Sequence, residues 1–278
     1  MISCIVTVIK NEHEYLDEWI KYHLNLGINH IFIFEDIDSK SHQDICNKYK
    51  DNVTLNNIRH VIIEENDKKL ADKLKLTKKV NVQHVYFKCI LKYLYQLPIK
   101  YDWCFVIDND EFITLENENN KLEDVLNLYN DYDAIVLYWK CYGANGLINK
   151  PDYTNKGVIE TYTKEAKGRV IKDSARAYIK TCYKLNKNGK YKYYNSHLPQ
   201  EHSNWIATNY QRDMTINPIY DNIYLRHYIT KSWEEYVWKK QTRGFIFGGH
   251  RHLDTFFEIN PDMLNKKDEL INSLKEDE

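Results

Sequence analysis

The stretch CFVIDNDEFI at residues 104–113 brings three acids together inside an apolar part of the chain. An apolar run leads into Asp108, Asn109, Asp110 and Glu111, and the chain then becomes apolar again. Two carboxylates at positions i and i+2 beyond a strand can converge on one hard cation such as Mg²⁺ or Mn²⁺. Acids at a strand end often simply meet water, so the pair alone is weak evidence. The apolar residues on both sides, which limit movement into solvent, favour a binding site.

Two further polar clusters follow predicted strands. Apolar residues 2–9 precede Lys10-Asn11-Glu12, and a predicted strand at 30–34 precedes Glu35-Asp36-Ile37-Asp38-Ser39. In open α/β sheets, ligands bind at the carboxyl ends of the strands. We therefore expect these clusters to share one rim of the sheet with the acids that follow residue 107.

The elements that must position these residues alternate between strand and helix. A helix should begin with Asn11 as N-cap and Glu14 as its capping-box partner, and end at Gly27. Further strands are predicted at 59–63, 103–107 and 133–139, and further helices at 41–49, 80–97, 122–129, 230–242 and after Pro261. This alternation is typical of a doubly wound, mostly parallel α/β sheet.

The pattern becomes less regular after residue 143, where short Tyr-rich segments suggest an insertion around the site. No repeat or low-complexity linker separates the two parts. We therefore predict a single domain over residues 1–278, made of a regular part at 1–142 and a less regular part at 143–278.

Composition restricts the partners and the compartment. Lys and Arg number 39 against 40 Asp and Glu, a net charge of -1 that argues against a nucleic-acid partner. Six dispersed cysteines without a C-x-x-C pair indicate free thiols and a reducing compartment. The N-terminal apolar run is short and reads as a strand, and no run approaches a membrane span. We expect a cytoplasmic protein, and peripheral membrane association stays open.

Four blocks in the same order resemble the GT-A-fold glycosyltransferases of the family 2 and family 92 type. They are the opening VTVIKNEHEYLDEWIKYHLNLGINHIFIFEDIDS, then WCFVIDNDEF, then WKCYGANGL, and finally LRHYITKSWEEYVWKKQTRG. The match extends with gaps from about Ile5 to Gly244. Arg226 and the pair Cys141-Tyr142 depart from the usual pattern, which leaves the donor and acceptor identities open.

The resemblance implies transfer of a sugar from a nucleotide-sugar to an acceptor hydroxyl. It also implies a nucleotide-sugar-binding half at 1–142 and an acceptor-binding, metal-completing half at 143–278. UDP is the implied nucleotide, the sugar is a hexose such as galactose or glucose, and the acceptor is a glycan or glycoconjugate. Asp108 and Asp110 would hold Mn²⁺ or Mg²⁺ against the donor diphosphate, because the leaving nucleotide gains negative charge. The nucleotide pocket would be lined by Thr7, Lys10, Asn11 and Glu12, with Asp36 or Asp38 near the base or ribose.

A histidine often completes the metal shell in such enzymes. His227 opens the C-terminal block and is favoured, and His197 is its rival. Lys231, Lys239 and Arg243 would form a cationic wall for the donor phosphates. An ordinary solvated helix face explains their spacing equally well.

An inverting transfer requires a carboxylate that takes the acceptor proton. Glu111 and Glu201 are the two candidates, and Glu111 could instead orient Asp110 or the acceptor. Two other functions compete with transfer. A haloacid-dehalogenase-like phosphatase or phosphotransferase also uses D-x-D, although normally at its first strand and followed by Thr. A non-catalytic carbohydrate- or calcium-binding module leaves the cationic C-terminal block without a role.

Overall fold

The structure of the protein is a computed structural model that describes most of the chain. The described residues are 1–36, 39–57, 90, 93–94, 96–166, 179–185, 196–197, 199, 204–208, 218, 220–242 and 253–276.

One sheet contains the nine strands of the described residues. They are β1 (Ser3–Ile9), β2 (His30–Glu35), β3 (Val53–Asn57), β4 (Trp103–Val106), β5 (Glu111–Leu115), β6 (Ala134–Cys141), β7 (Ile179–Lys184), β8 (Trp205–Ala207) and β9 (Ile223–His227). Their order is β3-β2-β1-β4-β7-β6-β9-β5, with β8 paired beside β6. Strands β1 to β4 are parallel, whereas β7 and β5 run antiparallel to their neighbours. The predicted α/β, GT-A-type, mostly parallel sheet is confirmed.

Helices flank this sheet. They are α1 (His13–Leu26), α2 (Gln43–Asn47), α3 (Leu122–Asn127), α4 (Val158–Thr161), α5 (Trp233–Val237), α6 (Asp254–Ile259) and α7 (Lys267–Glu276). A π-helical turn, Trp238–Thr242, continues α5, and a 3₁₀ turn, Pro261–Lys266, precedes α7. In the described part of the chain no helix is both long and apolar enough to cross a membrane.

The register of β1 with its neighbours places the polar clusters on one rim. Val6 lies opposite Val106 of β4, and Ile9 lies opposite Glu35 of β2. Because all three strands are parallel, the residues that follow them leave the sheet at the same edge. The predicted convergence of the β1, β2 and β4 ends is confirmed.

Strand β1 is buried on both faces, which explains its continuous apolar sequence. Ile5 and Ile9 pack in the core that includes α1 and α3, while Cys4, Val6 and Val8 pack in a second core on the other face. Five of the six cysteines lie in the described residues, and all five are free thiols: Cys4, Cys46, Cys104, Cys141 and Cys182.

Helix α1 buries the predicted face, which includes Leu16, Trp19 and His23. Gly27 ends the helix with a φ of 110°, as predicted, because a left-handed C-cap favours glycine. The predicted capping box is wrong. Asn11 has a φ of 53° and its Oδ1 accepts from the backbone N–H of Lys40 at 2.9 Å, so a tertiary contact removes it from the cap position.

The predicted helix at 230–242 is shorter than expected. Its α-helical part begins at Trp233 after a capping box of Ser232 and Glu235, and it changes to the π-helical turn at Trp238. Lys231 lies before the helix, with a φ of 54°.

Several remaining predictions are met in part. Strand β3 at 53–57 was not predicted, and the strand predicted at 59–63 lies outside the described residues. Of the helix predicted at 80–97, five residues are described: Ile90, Tyr93, Leu94 and Gln96 are helical, and Leu97 lies in a bend. The helix predicted after Pro261 is the 3₁₀ turn followed by α7. The division into a donor half and an acceptor half stays a prediction.

Candidate active site

The acids lie in the short connection between β4 and β5. The backbone N–H of Glu111 donates to the carbonyl of Asp108 at 3.0 Å, and the N–H of Asp108 donates to Oε2 of Glu111 at 2.9 Å. Trp19 of α1 donates its indole N–H to the carbonyl of Glu111 at 2.7 Å, and the N–H of Tyr228 donates to the carbonyl of Asp110 at 2.9 Å. The turn is therefore fixed from both sides, which sets the directions of its carboxylates.

A buried lysine on β7 contacts the first acid of the turn. The ammonium of Lys180 donates to Oδ2 of Asp108 at 2.8 Å and lies 3.6 Å from Oε2 of Glu111. The Lys180 and Glu111 side chains are 0% exposed, whereas the Asp108 side chain is 47% exposed. Lys180 thus holds Asp108 from its buried side while Asp108 faces the open rim.

The second acid has different partners. Oδ2 of Asp110 accepts from the ammonium of Lys239 at 2.6 Å, and Oδ1 lies 3.6 Å from Nε2 of His227. The Asp110 side chain is 5% exposed, so these neighbours largely enclose it. The predicted residues Asp110, His227 and Lys239 are therefore brought together.

The three acids differ in their pKa values. Burial opposes ionisation of Asp108, but Lys180 outweighs it and holds its pKa below the usual value. Burial likewise opposes ionisation of Asp110, yet Lys239 and His227 bring its pKa well below the usual range. Burial raises the pKa of Glu111 well above its usual value, even with Lys180 nearby. Asp108 and Asp110 are therefore ionised at neutral pH, whereas burial disfavours the ionised form of Glu111.

The two candidate histidines both pack against the ring of Trp139. The His227 ring centroid is 4.2 Å from that of Trp139, and the His197 centroid is 5.5 Å from it. Nδ1 of His197 lies 3.0 Å from the carbonyl of Ile179. Burial lowers the pKa of His227, and burial with the charge of Lys180 lowers that of His197 to about 4. Both imidazoles are neutral at neutral pH, and Nε2 of His227 lies 3.6 Å from Oδ1 of Asp110.

A pocket of about 500 Å³ opens beside Asp110. The loop after β1 lines it together with the segment that connects β9 to the π-helical turn. The lining residues include Asn11, Glu12, Glu14, Tyr15, Lys231, Trp238 and Lys239. Because Lys239 also contacts Asp110, the pocket lies next to the acid turn, which we define as residues 108–111.

Glu12 is the buried acid of this pocket. Its Oε2 accepts from the hydroxyl of Tyr15, and the ammonium of Lys231 lies 3.9 Å from the centroid of the Tyr15 ring. Burial raises the pKa of Glu12 to about 7, although Lys239 and Lys231 oppose the rise. Burial and the neighbouring charge of Lys239 lower the pKa of Lys231. The pocket therefore places the cations Lys231 and Lys239 near an acid that titrates near neutrality.

The loop that carries Glu12 is fixed by residues from the end of β2. The N–H of Glu12 donates to Nε2 of His42 at 3.0 Å, and Nδ1 of His42 lies 2.9 Å from Oε1 of Glu35. The N–H of Asn11 donates to Oγ of Ser39 at 3.0 Å. The loop therefore has a defined position beside the pocket.

The other residues predicted for the nucleotide pocket are placed as follows. Lys10 forms an ion pair with Asp36 at 3.2 Å, at the adjacent ends of β1 and β2. Thr7 lies inside β1, 1% exposed, and its hydroxyl has no hydrogen-bond partner among the described residues. Asp38, Glu201 and Arg243 lie outside the described residues, so their predicted roles stay predictions.

The fit of a divalent cation can be judged from the contacts of Asp110. Two donors that each lie about 2.1 Å from one ion are at most about 4.2 Å apart, so the 3.6 Å between Oδ1 of Asp110 and Nε2 of His227 fits a shared ion. Within the described ranges, no three His, Cys, Asp or Glu side chains gather as a metal site. The arrangement fits a cation held by few protein ligands and completed by substrate phosphates.

Several site residues could not be identified from the sequence patterns used above. Lys180 was missed, although a lysine within the otherwise uncharged run Ile179–Tyr183 is a usable signal, because a buried lysine requires a carboxylate partner. Tyr15, Trp139 and Trp238 were also missed. Aromatic residues are frequent throughout this chain, and nothing local distinguishes these three.

The fold and the position of the acids at the carboxyl ends of the strands define a GT-A-type glycosyltransferase. More particularly, the chain belongs to glycosyltransferase family 92, whose family model matches residues 1–263. No match is found among the curated proteins. The crystal structure of HddC from Yersinia pseudotuberculosis is similar, with 11% sequence identity, coverage of 74% of this chain and 89% of that chain, and a TM-score of 0.37. That similarity is too low to refine the assignment.

The raised pKa of Glu12 predicts a pH-dependent stability. Because its pKa is about 7 in the folded state and 4.5 ordinarily, Glu12 lowers the free energy of unfolding as pH rises through this window, by roughly 3 kcal/mol in total. Glu12→Gln should remove this loss, so the variant gains stability relative to the native protein at pH 8 but not at pH 4.5. Urea unfolding at both pH values measures the difference. Glu14→Gln, at a half-exposed pocket residue, is the control and should follow the native protein.

Proposed function

We propose that the protein transfers a hexose, galactose or glucose, from a UDP-sugar to a hydroxyl of a glycan or glycoconjugate acceptor, with inversion and with Mn²⁺ or Mg²⁺ as cofactor. Membership of family 92 supports the transfer itself. The observation that carries the finer proposal is that Lys239 both lines the pocket and contacts Asp110. A ligand in the pocket therefore lies next to the acid turn.

The donor nucleotide would occupy the pocket between the loop after β1 and the segment 229–239. Lys231 and Lys239 supply positive charge for the diphosphate, and Trp238 supplies an exposed aromatic face. Glu12 and Asn11 supply hydrogen-bonding groups from the other segment. A pocket of about 500 Å³ lies within the usual range for small-molecule sites.

The cation would be held by Asp110 and His227, with Asp108 beside them on the exposed rim. When bound, the cation supplies charge stabilisation for the leaving diphosphate. Lys239 now contacts the carboxylate that the cation would use, so ligand binding would transfer this ammonium from Asp110 to a phosphate oxygen. In such an exchange the divalent cation would replace the ammonium beside Asp110, and the ammonium would offset negative charge on the phosphate.

The proton acceptor of an inverting transfer is best sought away from Glu111. That side chain is 0% exposed, which leaves an acceptor hydroxyl no open access to it, and burial raises its pKa well above the usual value. Its hydrogen bond to the N–H of Asp108 supports a role in holding the acid turn. Glu201 stays the candidate base.

The donor proposal predicts a fluorescence change from a single tryptophan. Trp238 is 39% exposed in the pocket, while the other five tryptophans are at most 9% exposed. Adding UDP with Mn²⁺ should alter tryptophan emission and reduce quenching by acrylamide, because the nucleotide covers the ring. Trp238→Phe should abolish the response, and Trp205→Phe is the control that should keep it. A response that persists in Trp238→Phe, or no response to any nucleoside diphosphate, would contradict the proposed donor site.

A further inference from the structure

Lys180 has a position that the transfer reaction alone does not explain. It is a fully buried lysine within a strand, and its ammonium lies beside the side chains of Asp108 and Glu111 at the rim of the sheet. Burying a lysine is costly unless it is paired, and its pairing with Asp108 at 2.8 Å meets that condition. The lysine is thus matched to this acid turn in particular.

The contacts of Lys180 resemble those that a bound cation would make. The ammonium contacts Oδ2 of Asp108 and approaches Oε2 of Glu111. One of these acids precedes Asp110 in the chain and the other follows it. Asp110, in contrast, faces Lys239 and His227, and its Lys239 partner is 21% exposed. Lys180 is therefore a fully buried cation of the acid turn, whereas Lys239 is a partly exposed cation at the edge of the pocket.

We propose that Lys180 is a built-in cation that positions Asp108 and takes the place of a second metal ion in the acid turn. The divalent cation of the proposed function is then confined to Asp110 and His227. Asp108, fixed by Lys180 through Oδ2 and 47% exposed, presents its carboxylate to the donor as a positioned hydrogen-bond acceptor. This inference rests on the proposed function for the use made of Asp108, but its test requires no nucleotide.

Lys180→Met is the informative variant, because the methionine side chain ends one atom short of the ammonium and leaves the site of the charge vacant. Manganese bound per chain is counted by electron paramagnetic resonance in the native protein, in Lys180→Met and in Lys184→Met. Lys184 lies on the same strand, and its ammonium donates to the carbonyl of Asn130 rather than to an acid, which makes it the matched control.

The expected result is one additional Mn²⁺ per chain in Lys180→Met and none in Lys184→Met. In a metal chelator, the melting temperature of Lys180→Met should be about 5 °C or more below that of the native protein. Adding Mn²⁺ should raise the melting temperature of Lys180→Met by more than it raises that of the native protein. The inference is overturned if Lys180→Met binds no additional Mn²⁺. It is also overturned if Lys184→Met binds as many additional Mn²⁺ ions as Lys180→Met.

The difference in bound Mn²⁺ between Lys180→Met and the native protein tests this inference separately from the proposed function. If the native protein binds no Mn²⁺ and Lys180→Met binds one, the role of Lys180 stands and the proposed metal dependence fails. If Lys180→Met does not fold, the double variant with Asp108→Asn decides, because it removes the uncompensated charge. The double variant should fold and melt close to the native protein, and failure of this rescue overturns the inference.

Discussion

Replacing Asp110 by asparagine should lower kcat/KM for sugar transfer by at least about a hundredfold, the scale expected when a group that stabilises developing charge is lost. The substitution keeps the size of the side chain but removes the charge that faces Lys239 and His227. The pKa of Asp110 is held well below the usual range, so the native carboxylate is ionised throughout the working pH range. Steady-state kinetics with a UDP-sugar donor measures the loss.

The control for this substitution is Asp17→Asn. Asp17 also pairs with a lysine, Lys48, at 2.8 Å, but the two side chains are 43% and 60% exposed and neither lines the pocket. Exposed ion pairs contribute little, so this variant should keep native activity and stability. Comparable activity in Asp110→Asn and Asp17→Asn would contradict the role assigned to Asp110.

The second large effect concerns the helix that supports the acid turn. Trp19 is fully buried in α1, and its indole donates to the carbonyl of Glu111. Trp19→Ala should lower the free energy of unfolding by about 3–5 kcal/mol, because it leaves a large cavity and an unsatisfied carbonyl. Trp19→Phe keeps most of the packing, and its smaller loss isolates the hydrogen bond. Urea unfolding measures both variants.

Trp238→Ala is the matched control for Trp19→Ala. Trp238 is 39% exposed at the pocket, so its removal should change the free energy of unfolding by about 1 kcal/mol or less. If Trp19→Ala were no more destabilising than Trp238→Ala, α1 would not support the turn in the way described.

Local sequence patterns predicted the parts of the fold that local interactions determine. The apolar run of β1, the buried face of α1 and its end at Gly27 follow from hydrophobic periodicity and from the left-handed C-cap. The start of α1 was predicted wrongly because Asn11 is held by Lys40, a residue far away in sequence. A capping rule contains no information about that contact.

In the candidate site, too, local sequence patterns predicted some features, and tertiary contacts determine the others. The acids after β4 and their place on the rim follow from the strand pattern and the parallel sheet. The lysines that pair with them do not, because Lys180 reaches Asp108 from β7 across 72 positions of sequence, and Lys239 reaches Asp110 across 129. The prediction of one helix at 230–242 also missed the π-helical turn that carries Lys239. Such pairings depend on the tertiary fold.

The most direct test of the proposed transfer is the release of UDP from UDP-galactose and UDP-glucose by the native protein, with Mn²⁺ or with a metal chelator. Water serves as a slow acceptor when the natural acceptor is not supplied. We predict UDP release from at least one of these donors in Mn²⁺ and a fall of at least about a hundredfold in chelator, because the cation stabilises the leaving diphosphate. Release at the same rate in chelator, or no release from either donor, would contradict a metal-dependent UDP-hexose transferase.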